Sequence, residues 1–505
     1  MVRLALLNKA LISTLLFGFG ISLAACLSLP AQPGSMAIYS ASTAQLSQAN
    51  AATAPLVTHG PISGEITDQS AVLWARGNQT GTLVFEVATD ANFATIVDSG
   101  KGLVSAQSDF TGKVNVTKLK PAQTYFYRAS LQAGSQTSPA VNGKFLTAPG
   151  GAAKQDFHFV FGACLGGQNY CRNPKTGWTI FDKMAATQPA FFLLTGDSIY
   201  ADTPCAGDNN VPGAEGPYTD LNGLRTRYRY HLEDKHYASF LAQTPVYTTW
   251  DDHEVLNDFS GLTIKAINPE MLKDGVQAYF EYWPLQGTGQ APNRIYRKVS
   301  YGAYADFFIL DTRSYRDPNV NWDPNPVTLK PKTMLGAEQF AWLQKGLTES
   351  KATWKFIVSS VPLAYPTGFP QPQVDGRDGW ANYTEQSGYE TELGALIFTI
   401  AQHNVRNVIF LTGDAHWPYA ISYDPDKDGA VNFYEFSSSP LSAIPLAPPK
   451  LLDPTFNPTV LYAEGEFQGK LFNFGEVAVN AQGDLTYRVL DGEGKEHYTL
   501  TLKPN

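Results

Sequence analysis

The chain has 505 residues, of which 43% are hydrophobic and 16% charged, with 43 Gly and 33 Pro. That length suits about three domains, or one large and two small ones, and the composition fits a loop-rich, strand-heavy globular protein rather than a disordered one. Thirty-seven Lys and Arg against 46 Asp and Glu give a net charge of −9, and no basic tract suggests a structural nucleic-acid partner.

In chain order, residues 1–25 read as a signal peptide. Arg3 and Lys9 precede an apolar stretch of 16 residues, ALISTLLFGFGISLAA, too short for a membrane span. It ends in Leu23-Ala24-Ala25-Cys26, which resembles the lipobox of bacterial lipoprotein signals and implies cleavage before Cys26 and lipidation of its thiol; an ordinary secretory signal cut slightly later is the alternative. The expected destination is the periplasm or cell envelope, with Cys26 as a membrane anchor. Residues 26–55, rich in Ala, Ser, Gln and Thr, read as a flexible tether.

Residues 56–150 alternate apolar and polar side chains between turn signals, as in SAVLWARG, GTLVFEVAT, GKVNVTKL and TYFYRASL. Short strands at near-regular spacing predict a β-sandwich of the fibronectin or immunoglobulin type, without the immunoglobulin cysteine pair. Residues 151–450 change texture. Apolar runs end in polar clusters (FHFVFGAC, AFFLLTGD, TPVYTTWDDHE, ADFFILDTR, KFIVSSVPL, VIFLTGDAH), and helix-like segments such as LRTRYRYHLEDKHYASFLA and GAEQFAWLQKGLTESK lie between several of them. That alternation predicts an α/β domain whose ligands bind beyond the C-terminal ends of the strands. Residues 451–505 return to strand patterns, a C-terminal β extension.

The four cysteines are Cys26, Cys164, Cys171 and Cys205. A Cys171–Cys205 disulfide would close two loops and leave Cys164 either buried and inert or bound to a metal as thiolate. The strand-end groups taken together are Cys164, Asp197 with Tyr200, Asp251-Asp252-His253-Glu254, and Asp414 with His416. Thiolate, carboxylate, phenolate and imidazole are all metal ligands, and a carboxylate can bridge two ions. Two ions about 3.5–4 Å apart can hold an attacking hydroxide and stabilise an in-line displacement at phosphorus.

GDSIY resembles the GDxxY motif of purple acid phosphatases, WDDHE their GNH[DE] motif and GDAH their GHxH motif. The variants present, the cysteine after the first strand, ILDTRSYR, WANY and FYEFSSSPLSA are more similar to the PhoD-type alkaline phosphatases. GPISGEIT…AVLWAR and LKPAQTYFYRA are similar to the N-terminal domain of that family. The resemblance covers about residues 56–505. It implies a metallophosphatase α/β/β/α sandwich behind the N-terminal β-sandwich, and hydrolysis of small phosphate esters by metal-activated hydroxide. The alternatives are a phosphodiesterase or phospholipase D-like activity, or a non-catalytic binding lipoprotein.

Carried over by residue, the resemblance implies iron (Fe3+) bound by Cys164, with Asp197 bridging, Tyr200 as phenolate ligand, Asp252 on the second metal or metals, and Asp414 and His416 completing the shells. His253 would contact the phosphoryl oxygens or protonate the leaving group. The implied cofactors are iron with calcium, at least two ions, with zinc or manganese as alternatives. Arg313 could clamp phosphate bidentately or pair with a nearby acid. Asn257 could line the pocket or cap a loop, and Trp380 and Tyr383 could line a cleft or pack. Two departures stand out: no His occurs at 358–363, where a further ligand is expected, and ACLGGQNYC lacks a polar residue directly after the cysteine. DPDKDGAVNFYE, Asp424 to Glu435, has EF-hand spacing but strand-like flanks, which favours a β-hairpin turn.

Overall fold

The computed structural model describes residues 53–286, 293–318, 323, 329–367, 378–381 and 388–505. Two large sheets stack face to face. The first has nine strands in the order Glu496–Leu502, Leu485–Asp491, Asn473–Val479, Phe157–Gly162, Phe192–Thr195, Val246–Thr249, Val57–Gly64, Ala71–Gly77 and Thr111–Val116. The second has seven: Arg297–Tyr301, Ala305–Ile309, Trp354–Val358, Val408–Thr412, Phe433–Ser437, Tyr419–Tyr423 and Pro458–Ala463. Phe157–Gly162, Phe192–Thr195 and Val246–Thr249 run parallel, as do Ala305–Ile309, Trp354–Val358, Val408–Thr412 and Phe433–Ser437.

The apolar runs of the sequence become strands buried on both faces, and the two-residue period divides each run between two cores. Phe159, Phe161 and Leu193 from the first sheet meet Phe307, Ile309, Phe356, Val358, Ile409 and Leu411 from the second in one central core. Phe159 anchors it, edge-on to Phe307 at 5.3 Å and to Phe356 at 5.6 Å between ring centroids. The intervening residues face outward onto helices. Val160, Phe192 and Leu194 pack with Phe181, Tyr237, Phe240 and Tyr279, from the helices Ile180–Ala186, Lys235–Gln243 and Pro269–Tyr282. Phe308, Ile357 and Phe410 pack with Leu343 and Leu396, from Gly336–Glu349 and Glu390–Gln402. The result is the expected α/β/β/α sandwich. Each such aromatic contributes about 1.5–3 kcal/mol by leaving water.

Two helix starts have simple causes. LRTRYRYHLEDKHYASFLA is two helices, Leu221–Leu232 and Lys235–Gln243, because the Asp234 carboxylate caps the second by accepting from the backbone N–H groups of His236 and Tyr237. Pro269–Tyr282 forms a helix with Pro at its first position and the Asn268 side chain as cap, a start signal present in the sequence.

A third sheet, with Ile96–Val104, Gly81–Ala88, Thr124–Ala133, Gln136–Thr137 and Val141–Leu146, covers the N-terminal strands to complete the β-sandwich. The partition at residue 150 does not divide the sheets, however. Val57–Gly64 pairs in parallel with Val246–Thr249 through Gly64 and Val246, so three strands of the N-terminal region extend the large sheet. At the other side Asn473–Val479 pairs with Phe157–Gly162, which builds the C-terminal strands into the same sheet.

Candidate metal centre

The C-terminal ends of the parallel strands converge, and glycine makes the approach possible. A side chain at Gly196 would lie 2.8 Å from the Asp251 Cβ and 3.0 Å from the Ser360 Cβ; one at Gly413 would lie 2.8 Å from the Ala163 Cβ. The glycines of GDSIY and GDAH therefore let neighbouring strand ends close up. Directly beyond them the backbone turns left-handed at four non-glycine residues: Cys164 (φ 63°), Asp197 (49°), Asp414 (60°) and His416 (64°). Such residues are strained, and strain of this kind gathers at functional sites.

Ligand-capable atoms of Cys164, Asp197 and His416 lie within 4.8 Å of one another, and so do those of Asp197, Asp252 and His253. A third group, Asp252, Asp258 and Asp378, meets the same distance. Asp197 belongs to the first two and Asp252 to the last two. The Tyr200 hydroxyl sits 3.1 Å from Asp197 Oδ2 and 3.0 Å from His416 Nε2. His416 Nδ1 donates to the Ile444 carbonyl at 2.7 Å, which leaves Nε2 with its lone pair. Burial lowers the His416 pKa to about 4, so the ring is neutral.

Burial and mutual repulsion oppose ionisation throughout the cluster. Burial, then Asp197 and Asp414, push the Cys164 thiol well above its usual range. Burial, then Asp197 and Cys164, do the same to Tyr200. Asp197 and Asp414 are likewise raised by burial first and by neighbouring carboxylates second. The Asp414 Oδ2 atom is buried without a hydrogen-bond partner. Acceptor groups packed this closely, one with an orphaned oxygen, fit a bound cation.

His253 stands beside them with its ring stacked on Tyr200, centroids 4.0 Å apart. Its Nδ1 is 2.7 Å from Asp202 Oδ1. Burial disfavours its cationic form, yet Asp202, Asp252 and Asp197 outweigh that and hold its pKa well above the usual histidine value. Asp252 accepts from the backbone N–H groups of His253 at 2.9 Å and Asp258 at 2.7 Å.

Arg313 takes the pairing role. It is fully buried, donates from Nε to Asp251 at 2.5 Å and from Nη1 to Asp378 at 2.7 Å, and also bonds Asp378 through Nη2. Each of its three nitrogens bonds a carboxylate, which is the acid-pairing alternative of the two expected for it. Asn257 is exposed, and it is its backbone N–H that donates to Asp202 Oδ2 at 2.8 Å, the loop-closing alternative. Trp380 is buried and donates to Ser359 Oγ at 3.0 Å, which is packing. Tyr383 and Cys26 lie outside the described residues.

Where a histidine was expected at 358–363, Ser360 Oγ donates to Asp251 Oδ1 at 2.6 Å. A hydroxyl that orients a carboxylate fills that strand end. Cys171 and Cys205 form a disulfide with Cα atoms 6.2 Å apart, and Cys164 is free and buried. The Asp424–Glu435 segment joins the antiparallel strands Tyr419–Tyr423 and Phe433–Ser437 as a hairpin. Asp424, Asp426 and Asp428 gather, but Glu435 is buried, accepting from the Leu363 N–H and the hydroxyls of Tyr419 and Tyr423. Three groups escaped sequence reasoning. Asp202 lies two residues beyond Tyr200 and Asp258 six beyond Asp252, close enough to known motifs to be suspected; Asp378, in DGRDGW, carried no signal.

Comparison with known proteins decides the family. The model of the PhoD-like phosphatase matches residues 159–488, and that of the PhoD-like phosphatase N-terminal domain residues 41–149. The chain belongs to the PhoD-like phosphatase family. Phosphoric ester hydrolysis is therefore its class of chemistry. The phosphatase is 29% identical to alkaline phosphatase D of Bacillus subtilis (strain 168) over 411 residues, 74% of this chain and 67% of that protein. A solved structure of PhoD, 24% identical, superposes with a TM-score of 0.72 over 90% of this chain and 93% of the other. A purple acid phosphatase from yellow lupin (Lupinus luteus) seeds shares the fold at 12% identity, with a TM-score of 0.60 over 89% of this chain and 74% of that one.

Proposed function

We propose that the phosphatase hydrolyses small phosphate esters with at least two bound metal ions. Cys164, Asp197, Tyr200, Asp414 and His416 would hold a trivalent iron, and Asp197 and Asp252 a second, harder ion such as calcium. Ions so held would supply Lewis acidity at phosphorus and would lower the pKa of a water near it. The observation that carries this reading is the convergence of the Cys164 thiol, the Asp197 carboxylate, the Tyr200 phenol and the lone-pair nitrogen of His416.

The protein's own groups do the rest. His253, oriented through Nδ1 by Asp202, presents Nε2 as the donor for a phosphoryl oxygen or for the leaving-group oxygen. The left-handed strand ends fix these side chains before substrate arrives, so little reorganisation is left for the reaction. Arg313 balances Asp251 and Asp378 from behind.

Metal analysis of the purified protein, with chelator-sensitive hydrolysis of mono- and bis-p-nitrophenyl phosphate, tests the reading. Iron in the protein and loss of hydrolysis on chelation are expected; metal-free protein with full activity would overturn it. The relative rates on the two esters separate monoesterase from diesterase action. We also propose export to the cell envelope with anchoring through Cys26. The signal-like N-terminus and the Cys171–Cys205 disulfide, a bond that persists in oxidising compartments, support that.

A further inference from the structure

Arg227, on the helix Leu221–Leu232, is fully buried. Among the described residues no carboxylate forms an ion pair with it. Its Nε donates to the Tyr200 carbonyl at 2.7 Å, its Nη2 to the Thr203 carbonyl, and its Nη1 lies 3.6 Å from the Cys205 sulfur. Burying a cation is costly; here the backbone of one short loop supplies the hydrogen bonds, the rings of Tyr230 and Tyr218 lie 5.5 and 6.0 Å from the guanidinium carbon, and Asp202 and Glu215 favour the charge from further off. That loop carries Tyr200, which touches Asp197 and His416, and Asp202, which orients His253. The two carbonyls flank Asp202 on either side. Beyond Thr203 the disulfide ties the loop to the segment that follows Cys164.

We infer that Arg227 is a positioning residue for the site: by gripping the carbonyls of Tyr200 and Thr203 it sets the Tyr200 phenol and the Asp202 carboxylate together. The metal-side group and the proton-side group then share one mechanical support. A shift of about 1 Å in a supporting element can cost on the order of a hundredfold in rate. The inference rests on the proposed phosphatase reaction for its kinetic readout and on the proposed metal for its analytical one.

The experiment uses full-length protein, metal-loaded, with p-nitrophenyl phosphate as probe. For Arg227→Met we expect kcat to fall by about tenfold or more, KM to stay within about threefold, and iron per chain to drop; Arg227→Lys, which can reach one carbonyl, should recover part of both. An Arg227→Met protein that folds with wild-type kcat and iron content overturns the inference. If Arg227→Met does not fold, Arg227→Lys decides: an intermediate kcat with reduced iron supports positioning, whereas wild-type values for both reduce the residue to a structural role and overturn it. If the wild type hydrolyses no phosphate ester, the phosphatase reading fails separately, and iron content alone then judges Arg227: equal content in wild type and variant overturns the inference, a lower content in the variant supports it.

Discussion

Asp202 accepts from His253 across 2.7 Å while its second oxygen accepts the backbone N–H of Asn257. One carboxylate thereby closes the loop after WDDHE and fixes which face of the imidazole is left for chemistry. Asp202→Asn keeps the size and loses the charge. We expect kcat to fall by roughly a hundredfold, the lower end of what positioned proton donors contribute, with metal content unchanged. Steady-state kinetics and metal analysis on the same sample check this.

Cys164→Ala should remove iron and activity together, because its sulfur is one of three ligand atoms gathered within 4.8 Å. His253→Ala should lower turnover and leave metal content near normal. Atomic absorption on both variants separates the roles: normal iron in the first, or lost iron in the second, would reverse the assignments.

Removing Arg313 leaves Asp251 buried without its cation and leaves Asp378 to Arg316. Arg313→Met should destabilise the protein by about 3–5 kcal/mol, the usual consequence of breaking a buried ion pair from one side. A clamp on substrate would instead raise KM for phosphate esters with little change in melting temperature. Thermal unfolding beside KM distinguishes the two.

Lys113, in the N-terminal sandwich, donates from Nζ to the Phe280 carbonyl at 2.5 Å and the Leu285 carbonyl at 2.6 Å, at the end of the helix Pro269–Tyr282. Burial lowers its pKa from 10.5 to about 8, partly offset by Glu281 and Glu65. The folded pKa lies below the unfolded one, so between about pH 8 and 10.5 the unfolded chain holds a proton that the folded chain has released. Stability contributed by this group therefore rises with pH across that window. In Lys113→Met, melting temperature plotted against pH from 8 to 10.5 should lose that upward component.

Much of the site was legible because metal chemistry restricts residue types and strand ends restrict their placement. Asp197, Tyr200, Asp414 and His416 each follow an apolar run in the sequence, and the structure gathers them at one edge. What was not legible depends on distant pairing. Arg313 could equally face substrate or acid until Asp251 and Asp378 were placed beside it. Ser360 could not be recognised as the replacement for an absent histidine, because its role exists only through Asp251. Likewise, the β-pattern of residues 56–150 predicted a sandwich. It gave no hint that Gly64 would pair with Val246, since a strand's second neighbour is written in another part of the chain.

That pairing bears on how the protein can be cut. A fragment beginning near residue 151 would lose three strands of the nine-stranded sheet and leave the Val246 end of Val246–Thr249 as an open edge. The N-terminal region acts as a selvedge that keeps the sheet from unravelling into its neighbours. A shortened enzyme should emerge from the cell as inclusion bodies, and a soluble one should require the seam at Gly64 to be kept.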